Sequence, residues 1–300
     1  MAEATFADPS ALAHVLDRLA RGEGAPWLHQ EVARRMAQRL PVIRQPPSRW
    51  LDWGGFLGGG EVPVKAVLPG AQRLVAEPTV ALQQRSRQAQ IRPWWTLGRR
   101  ADPVSVMLDS AVPPGSAPML WANMVLHTSP QPVHLLEQWH AALATDGFLM
   151  FSTLGPDTLK ELRAVYAAQG WPAPHPPFTD MHDIGDQLVH GGFADPVMDQ
   201  ETLQLSWSSP QALLAELRSW GGHLGAARHA GLRTPRWRDR LLAALAGRAD
   251  TEGRIRMSVE VVYGHAFKAA PRPKAGAPVA VPLEQLRASL ASRRGKPETL

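Results

Sequence analysis

The feature that most constrains the fold of this 300-residue chain is a series of short apolar runs separated by glycine, proline or helical segments. These runs occupy residues 50–53, 74–76, 104–108, 119–125 and 148–153. Short apolar runs bounded by turns are typical of buried parallel strands, because helices cover both faces of such strands. The sequence therefore predicts an α/β sheet of the doubly wound kind.

Helices are predicted between these runs, and two further strands after them. One helix carries Val133, Leu136, Trp139 and Leu143 on one face. Another is predicted to begin at Pro156, because proline suits the first position of a helix. Apolar and polar residues alternate in segments 203–207 and 257–263, which is typical of strands. These late strands are expected to form an antiparallel hairpin at the edge of the sheet.

The absence of cysteine excludes several classes of protein. It rules out disulfides, a thiol nucleophile, thiolate-bound iron–sulfur clusters and zinc sites with cysteine ligands. The histidines show no spacing that suits a metal, so no metal site is predicted. The longest uncharged stretch, residues 110–136, contains five prolines and two histidines and is not predicted to span a membrane. The N-terminus lacks the pattern of a signal peptide, and a cytoplasmic protein is therefore expected.

Acidic residues stand where three successive predicted strands end. Asp52 precedes a glycine cluster that includes Gly54 and Gly58, Glu77 follows the second run, and Asp109 follows the third. In open α/β sheets, ligands bind at the carboxyl ends of the strands, where glycine lets the backbone approach them closely. An acid after the second strand suits the hydroxyls of a ribose, and one after the third suits an adenine amino group. This pattern predicts a nucleotide-like cofactor.

Several stretches resemble a known family. They are residues 121–127, 151–163, 180–186, 192–199 and 260–268. On these segments the chain resembles the class I S-adenosylmethionine-dependent methyltransferases, and among them the BioC-like malonyl-acyl-carrier-protein O-methyltransferases of biotin synthesis. The resemblance implies a Rossmann-like sheet, mostly parallel with an antiparallel edge hairpin, and helices on both faces. It also implies S-adenosylmethionine as cofactor and acyl carrier protein with a malonyl-type thioester as partner, and no membrane association.

The same resemblance implies a set of site residues. The implied cofactor-binding residues are Asp52, Gly54, Gly58, Glu77, Asp109 and Asn123. Methyl transfer to a carboxylate needs little acid–base chemistry, because the nucleophile is already ionised, so the enzyme's task is positioning and exclusion of water. The implied catalytic residues, which would orient the acceptor, are Lys160, His182 and His265. Arg163, Thr153 and Asp157 stand on matching motifs as further candidates.

The domain organisation follows from composition and from this resemblance. Residues 1–48 are predicted to be an N-terminal helical segment covering the cofactor site, and residues 49–268 the methyltransferase domain with its substrate-side elements. Residues 269–300 form a tail rich in proline, alanine and arginine that is predicted to be disordered. The tail holds six basic and two acidic side chains, so the rest of the chain carries only +1 of the total charge of +5.

One departure from the family pattern leaves an alternative open. Phe56 stands at the central glycine position of the first glycine motif, where a side chain is expected to intrude on the methionine part of the cofactor. A non-catalytic protein that keeps the fold as an interaction module is therefore the alternative function. Nucleic-acid binding is a third and weaker hypothesis, since it depends on the basic isoelectric point of about 10.1 alone. Basic residues alternate with aromatic ones mainly near Trp94, Trp95, Arg99 and Arg100.

Overall fold

One sheet organises the protein, whose computed structural model describes residues 7–43, 45–90, 104–225, 228, 229, 231 and 233–270. Its strands are β1 (Arg49–Trp53), β2 (Gln72–Glu77), β3 (Ser105–Leu108), β4 (Ala117–Asn123), β5 (Leu143–Leu154), β6 (Ala194–Trp207) and β7 (Ile255–Phe267). They lie in the order β3-β2-β1-β4-β5-β7-β6. The first five strands are parallel, and β7 pairs antiparallel with both β5 and β6. The predicted mixed sheet with an antiparallel pair at one edge is confirmed.

Helices precede the sheet and connect its strands. They are α1 (Pro9–Leu19), α2 (Trp27–Ala37), α3 (Gly55–Gly58), α4 (Glu61–Val67), α5 (Val80–Ala89), α6 (Pro132–Ala142), α7 (Lys160–Ala168), α8 (Met181–His190), α9 (Pro210–Ser219) and α10 (Pro235–Ala246). Asp8, Thr79, Asp180, Ser209 and Thr234 cap helix N-termini with their side chains. Such caps satisfy backbone N–H groups that have no partner within the helix.

The core lies on both faces of the sheet. One cluster packs α6 and α8 against it and includes Trp139 and Phe151, and the other packs α2 and α4 against it and includes Trp50 and Trp121. These four aromatic side chains are fully buried. Strand β7 is buried along most of its length, because β5 and β6 flank it.

Helix α7 begins four residues later than predicted. Residues 156–159 form turns, and Leu159 has a positive φ of 53° immediately before the helix. The Leu159 N–H donates to Ser258 O at 2.7 Å, and the Asp157 N–H donates to the buried Glu260 carboxylate at 2.6 Å. These bonds to β7 compete with the helical bonds that Pro156 would otherwise start. The prediction was wrong because a distant strand, invisible in the local pattern, supplies better partners.

The end of α6 also differs from the prediction. Leu143, expected on the helix face, instead begins β5 and pairs with Ala117 of β4. The register of β4 against β5 shifts between Ala117 and Met119. Strand β5 begins at Leu143 and is longer than the apolar run 148–153 indicated. An apolar residue at a helix–strand junction fits the pattern of either element, so the pairing with β4 decides that Leu143 belongs to the strand.

Some predictions fall outside the described residues. These are the tail beyond residue 270 and the tryptophans and arginines at positions 94, 95, 99 and 100. Among the residues that the structure describes, no helix is long and apolar enough to cross a membrane.

Candidate active site

The carboxyl ends of the central strands open into a cavity of about 580 Å³. Residues from the ends of β1, β2 and β4 line it, as does Asp109 directly after β3. Three apolar side chains of α1 (Leu12, Leu16 and Leu19) line it as well, with His29 from α2. Strand ends therefore supply its acidic groups, residues between 128 and 138 add further polar side chains, and α1 supplies an apolar wall.

A glycine turn after β1 presents bare backbone to this cavity. Gly54 has a φ of +69°, and its N–H donates to Ala76 O of the neighbouring strand at 2.7 Å. A Cβ at Gly54 would also lie 3.2 Å from the Val125 side chain. A left-handed conformation combined with this tight contact favours glycine here. Gly54 and Gly58 both line the cavity, where the sequence placed them.

Phe56 does not intrude on this cavity, contrary to the expectation from the sequence. Phe56 lines a second cavity, together with residues of α2, α4 and α5, whereas Leu57 lines the first. Successive residues of a helix point about 100° apart, so the turn at α3 separates them. The Arg85 guanidinium lies over the Phe56 ring, with its Cζ 5.2 Å from the ring centroid. Phenylalanine is accommodated at this glycine position because the Phe56 side chain lines the second cavity and not the first.

Replacing Phe56 by alanine is therefore expected to leave cofactor affinity within about twofold, since the Phe56 N–H and the turn are preserved. Titration of the variant with S-adenosylhomocysteine measures this. The matched comparison is Leu57→Ala, which opens the cavity wall and lowers the affinity about fivefold or more through lost apolar contact. A large gain of affinity in Phe56→Ala would show that the ring obstructs the cofactor after all.

Glu77 offers an unpartnered acceptor at the end of β2. Its Oε1 accepts from the Phe56 N–H at 2.7 Å and from Ser86 Oγ at 2.5 Å. Its Oε2 is buried and has no hydrogen-bond partner within the described residues. Burial raises the pKa of Glu77 to about 7. A buried carboxylate oxygen without a donor is costly, and the two O–H groups of a ribose are the kind of partner that relieves it.

Asp109 and Asn123 complete the polar rim. Burial raises the pKa of Asp109, whose carboxylate accepts from the Ser110 N–H at 2.6 Å. The Asn123 amide is fully used, because its Nδ2 donates to His29 O and Gly58 O at 2.8 and 2.6 Å while its Oδ1 accepts from Ser152 Oγ. Asn123 therefore ties α2 and the glycine turn to the sheet, and presents little free hydrogen-bonding capacity to a ligand.

Asp52 lies beneath the turn rather than at the cavity. Its carboxylate pairs with Arg73, at 2.9 Å to Nε and 2.6 Å to Nη2, and both side chains are almost fully buried. A Cβ at Gly55 would come within 2.9 Å of both groups. Five of the six predicted cofactor residues line the cavity, and Asp52 instead supports the turn that carries two of them.

The three predicted catalytic residues do not line this cavity and are not brought together. Lys160 is exposed and pairs with Asp157 at 2.9 Å. His182 is exposed beside Asp180, which caps α8. His265 lines a different cavity together with Arg39. The three residues belong to three different elements, since Lys160 begins α7, His182 lies in the first turn of α8 and His265 lies near the end of β7. Their catalytic role stays a prediction without a contact to support it.

Sequence reasoning missed His29, which lines the cavity, and Arg18, which contacts the backbone of its wall. His29 sits among buried apolar residues of α2, and burial lowers its pKa to about 4. A single histidine on an apolar helix face was the available signal. Arg18 of α1 donates to Arg218 O and Gly221 O at 3.0 and 2.9 Å, and Gly221 lines the cavity. No spacing rule connects residues 200 positions apart.

Fold and site together define a class I methyltransferase. The sheet order places a glycine turn, a ribose-type acid and a further acid on adjacent strand ends, where this class holds S-adenosylmethionine. The YcgJ protein of Bacillus subtilis has the same fold (TM-score 0.52, 9% identity, 79% of this chain and 98% of that chain). So does a Bacillus halodurans protein described as a candidate methyltransferase (TM-score 0.51, 10% identity, 78% and 99%). At these identities the similarity shows the fold alone.

Sequence relatives identify the family within this class. A protein of Laribacter hongkongensis named malonyl-[acyl-carrier protein] O-methyltransferase is 39% identical over 91% of this chain and 94% of its own length. A Gallionella capsiferriformans protein of the same name is 36% identical over 88% and 92%. No family model matches the chain. This chain belongs to the malonyl-[acyl-carrier protein] O-methyltransferase family and is an S-adenosylmethionine-dependent methyltransferase, as its sequence predicted.

Proposed function

We propose that this protein methylates the free carboxylate of a malonyl thioester carried by acyl carrier protein, a reaction of biotin synthesis. The observation that carries the proposal is the cavity at the strand ends, with the buried unpartnered Glu77 Oε2 and an apolar wall from α1. The names of the relatives supply the acceptor. The feature that favoured a non-catalytic module was Phe56, and its side chain lies outside this cavity.

The residues of the cavity suit a reaction that needs no base. Glu77 would hold the ribose, Asp109 would face the adenine, and the glycine turn would lie against the methionine part. When bound, the cofactor supplies an activated methyl group on a sulfonium. The malonyl carboxylate is ionised at neutral pH, so the protein need only align it and exclude water. Leu12, Leu16 and Leu19 of α1 supply the water-excluding wall.

A cation that could align the carboxylate contacts the wall of the cavity: the Arg18 guanidinium donates to the backbone carbonyl of Gly221, which lines the cavity. Burial and, secondarily, the charge of Arg218 lower the pKa of Arg18. Arg18 is held by backbone carbonyls, and the Arg218 side chain has no hydrogen bond or ion pair to any residue that the structure describes. Arg218 is exposed, and two positive charges that repel each other suit an anionic group, which would relieve their repulsion. We assign to this pair the positioning role that was predicted for Lys160, His182 and His265.

The test is methyl transfer to malonyl-acyl carrier protein, followed by mass spectrometry of the intact carrier. We expect the carrier to gain the mass of one methylene group. Acetyl-acyl carrier protein, which lacks the free carboxylate, should stay unchanged. Binding of S-adenosylhomocysteine without any transfer to malonyl carrier would overturn the acceptor and leave the enzyme class standing.

The variant Arg218→Gln is expected to raise KM for the malonyl carrier about tenfold or more, since a hydrogen bond to a charged group contributes about 1.5–3 kcal/mol. Its affinity for S-adenosylhomocysteine should stay the same, because the cofactor lies at the strand ends. Arg248→Gln, an exposed arginine after α10, is the control for a general loss of positive charge. Equal effects of the two variants would assign Arg218 only a long-range electrostatic role.

A further inference from the structure

His29 carries a second unpartnered polar atom at the cavity. The side chain is buried and lines the cavity, and its Nδ1 lies 2.9 Å from Leu57 O. Its Nε2 is buried and has no hydrogen-bond partner among the residues described. The ring is therefore anchored at one nitrogen, and the other is a buried atom without a described partner on a side chain that lines the cavity.

The anchoring bond decides what Nε2 can do. A carbonyl oxygen only accepts, so Nδ1 must carry the proton that it donates to Leu57 O. In the neutral ring Nε2 is then a lone pair that can accept a hydrogen bond and cannot donate one. Burial, which lowers the pKa of this histidine to about 4, keeps the ring neutral. His29 consequently offers the cavity an acceptor only.

The sheet order places this acceptor at one end of the cavity. Asp109, Glu77 and the glycine turn belong to adjacent strands in the order β3, β2 and β1, and β4 follows. If the adenine lies at the end of β3 and the ribose at the end of β2, the methionine part of the cofactor would lie near β1 and β4. His29 is bound to both, through Leu57 O of the turn and through its own carbonyl, which accepts from Asn123 Nδ2. Its ring therefore lies at the methionine end.

The methionine part has one group that suits such an acceptor. Its carboxylate only accepts hydrogen bonds, whereas its ammonium only donates them. We propose that His29 Nε2 accepts a hydrogen bond from the α-ammonium group of the bound cofactor. This inference depends on the cofactor and is independent of which acceptor is methylated. His29 would thereby select ligands that carry the amino group.

The experiment compares two ligands on three proteins by calorimetric titration. The ligands are S-adenosylhomocysteine and its analogue without the amino group, and the proteins are the wild type, His29→Phe and His29→Gln. The wild type should prefer S-adenosylhomocysteine about tenfold or more, the effect of one charged hydrogen bond. His29→Phe should lose most of that preference while binding the analogue within about twofold of the wild type. His29→Gln, whose side chain retains an acceptor, should keep part of it.

Each other outcome overturns the proposal in a recognisable way. Equal losses for both ligands would show that His29 only supports the glycine turn, and an unchanged preference would show that the ammonium binds elsewhere. If the wild type bound neither ligand, the cofactor assignment itself would fail. Should His29→Phe not fold, nitrogen NMR of the wild type replaces it. The unprotonated Nε2 signal should then shift on addition of S-adenosylhomocysteine and less with the analogue.

Discussion

Replacing Glu77 by alanine is expected to lower the affinity for S-adenosylhomocysteine about a hundredfold. We propose this carboxylate as the buried acceptor for the ribose hydroxyls, and hydrogen bonds to charged groups contribute about 1.5–3 kcal/mol each. The same change removes the acceptor for the Phe56 N–H and Ser86 Oγ, which loosens the turn. Calorimetric titration measures the effect, with Ser86→Ala as the control that keeps the carboxylate and removes one of its supports. An affinity within threefold of the wild type would remove Glu77 from the site.

The pH dependence of binding separates the ribose contact from support of the turn. Because the pKa of Glu77 is raised to about 7 from 4.5, the folded protein keeps a proton that the unfolded chain has lost between those pH values. The free energy of unfolding therefore falls as pH rises from about 4.5 to 7, by up to about 1.4 kcal/mol per pH unit. Ribose hydroxyls donate to the ionised form, so affinity should rise up to about tenfold per pH unit below 7 and level off above it. Glu77→Gln should lose this rise, and a flat wild-type profile would contradict the contact.

Asp52→Asn is expected to cost about 3–5 kcal/mol of unfolding free energy, the usual effect of leaving one partner of a buried ion pair without its counter-charge. The partner is Arg73, which is only 5% exposed. Arg73 also contacts Glu61, whose carboxylate is partly exposed, so the loss should fall near the lower end of the range. Urea unfolding monitored by tryptophan fluorescence measures it.

The matched control for this prediction is Glu61→Gln, which removes the outer partner of Arg73. A partly exposed pair of this kind contributes about 1 kcal/mol or less. If Asp52→Asn instead left stability unchanged and abolished cofactor binding, Asp52 would be a direct ligand, as the resemblance implied, and the ion pair would be incidental.

Local patterns were sufficient for the sheet and for most of the cofactor site. The apolar runs predicted all five parallel strands, because buried strands need apolar residues on both faces wherever they occur. Gly54, Glu77 and Asp109 could be found in the same way, since each directly follows a predicted strand, and Gly58 belongs to the glycine cluster that begins at Gly54. Parallel strands bring their carboxyl ends to one edge, so position along the chain determined position in space.

The substrate side could not be found by this reasoning. Lys160 and His265 belong to segments that resemble the family, and yet one is exposed beside Asp157 and the other lines a separate cavity. His29 and Arg18 come from helices before the sheet, and their partners Leu57 and Arg218 lie 28 and 200 residues further along the chain. Whether such helices contribute to a site depends on how they pack.

The sequence by itself determined the class of fold, the strand ends that line the main cavity and the family to which the chain belongs. Only the tertiary structure decided that Phe56 leaves the cavity, that Asp52 neutralises Arg73 and that His29 presents a lone pair. The physical reason is the range of the interactions. Strand formation and turn geometry depend on neighbouring residues, whereas the direction of a side chain, its burial and its ionisation depend on groups that folding brings together.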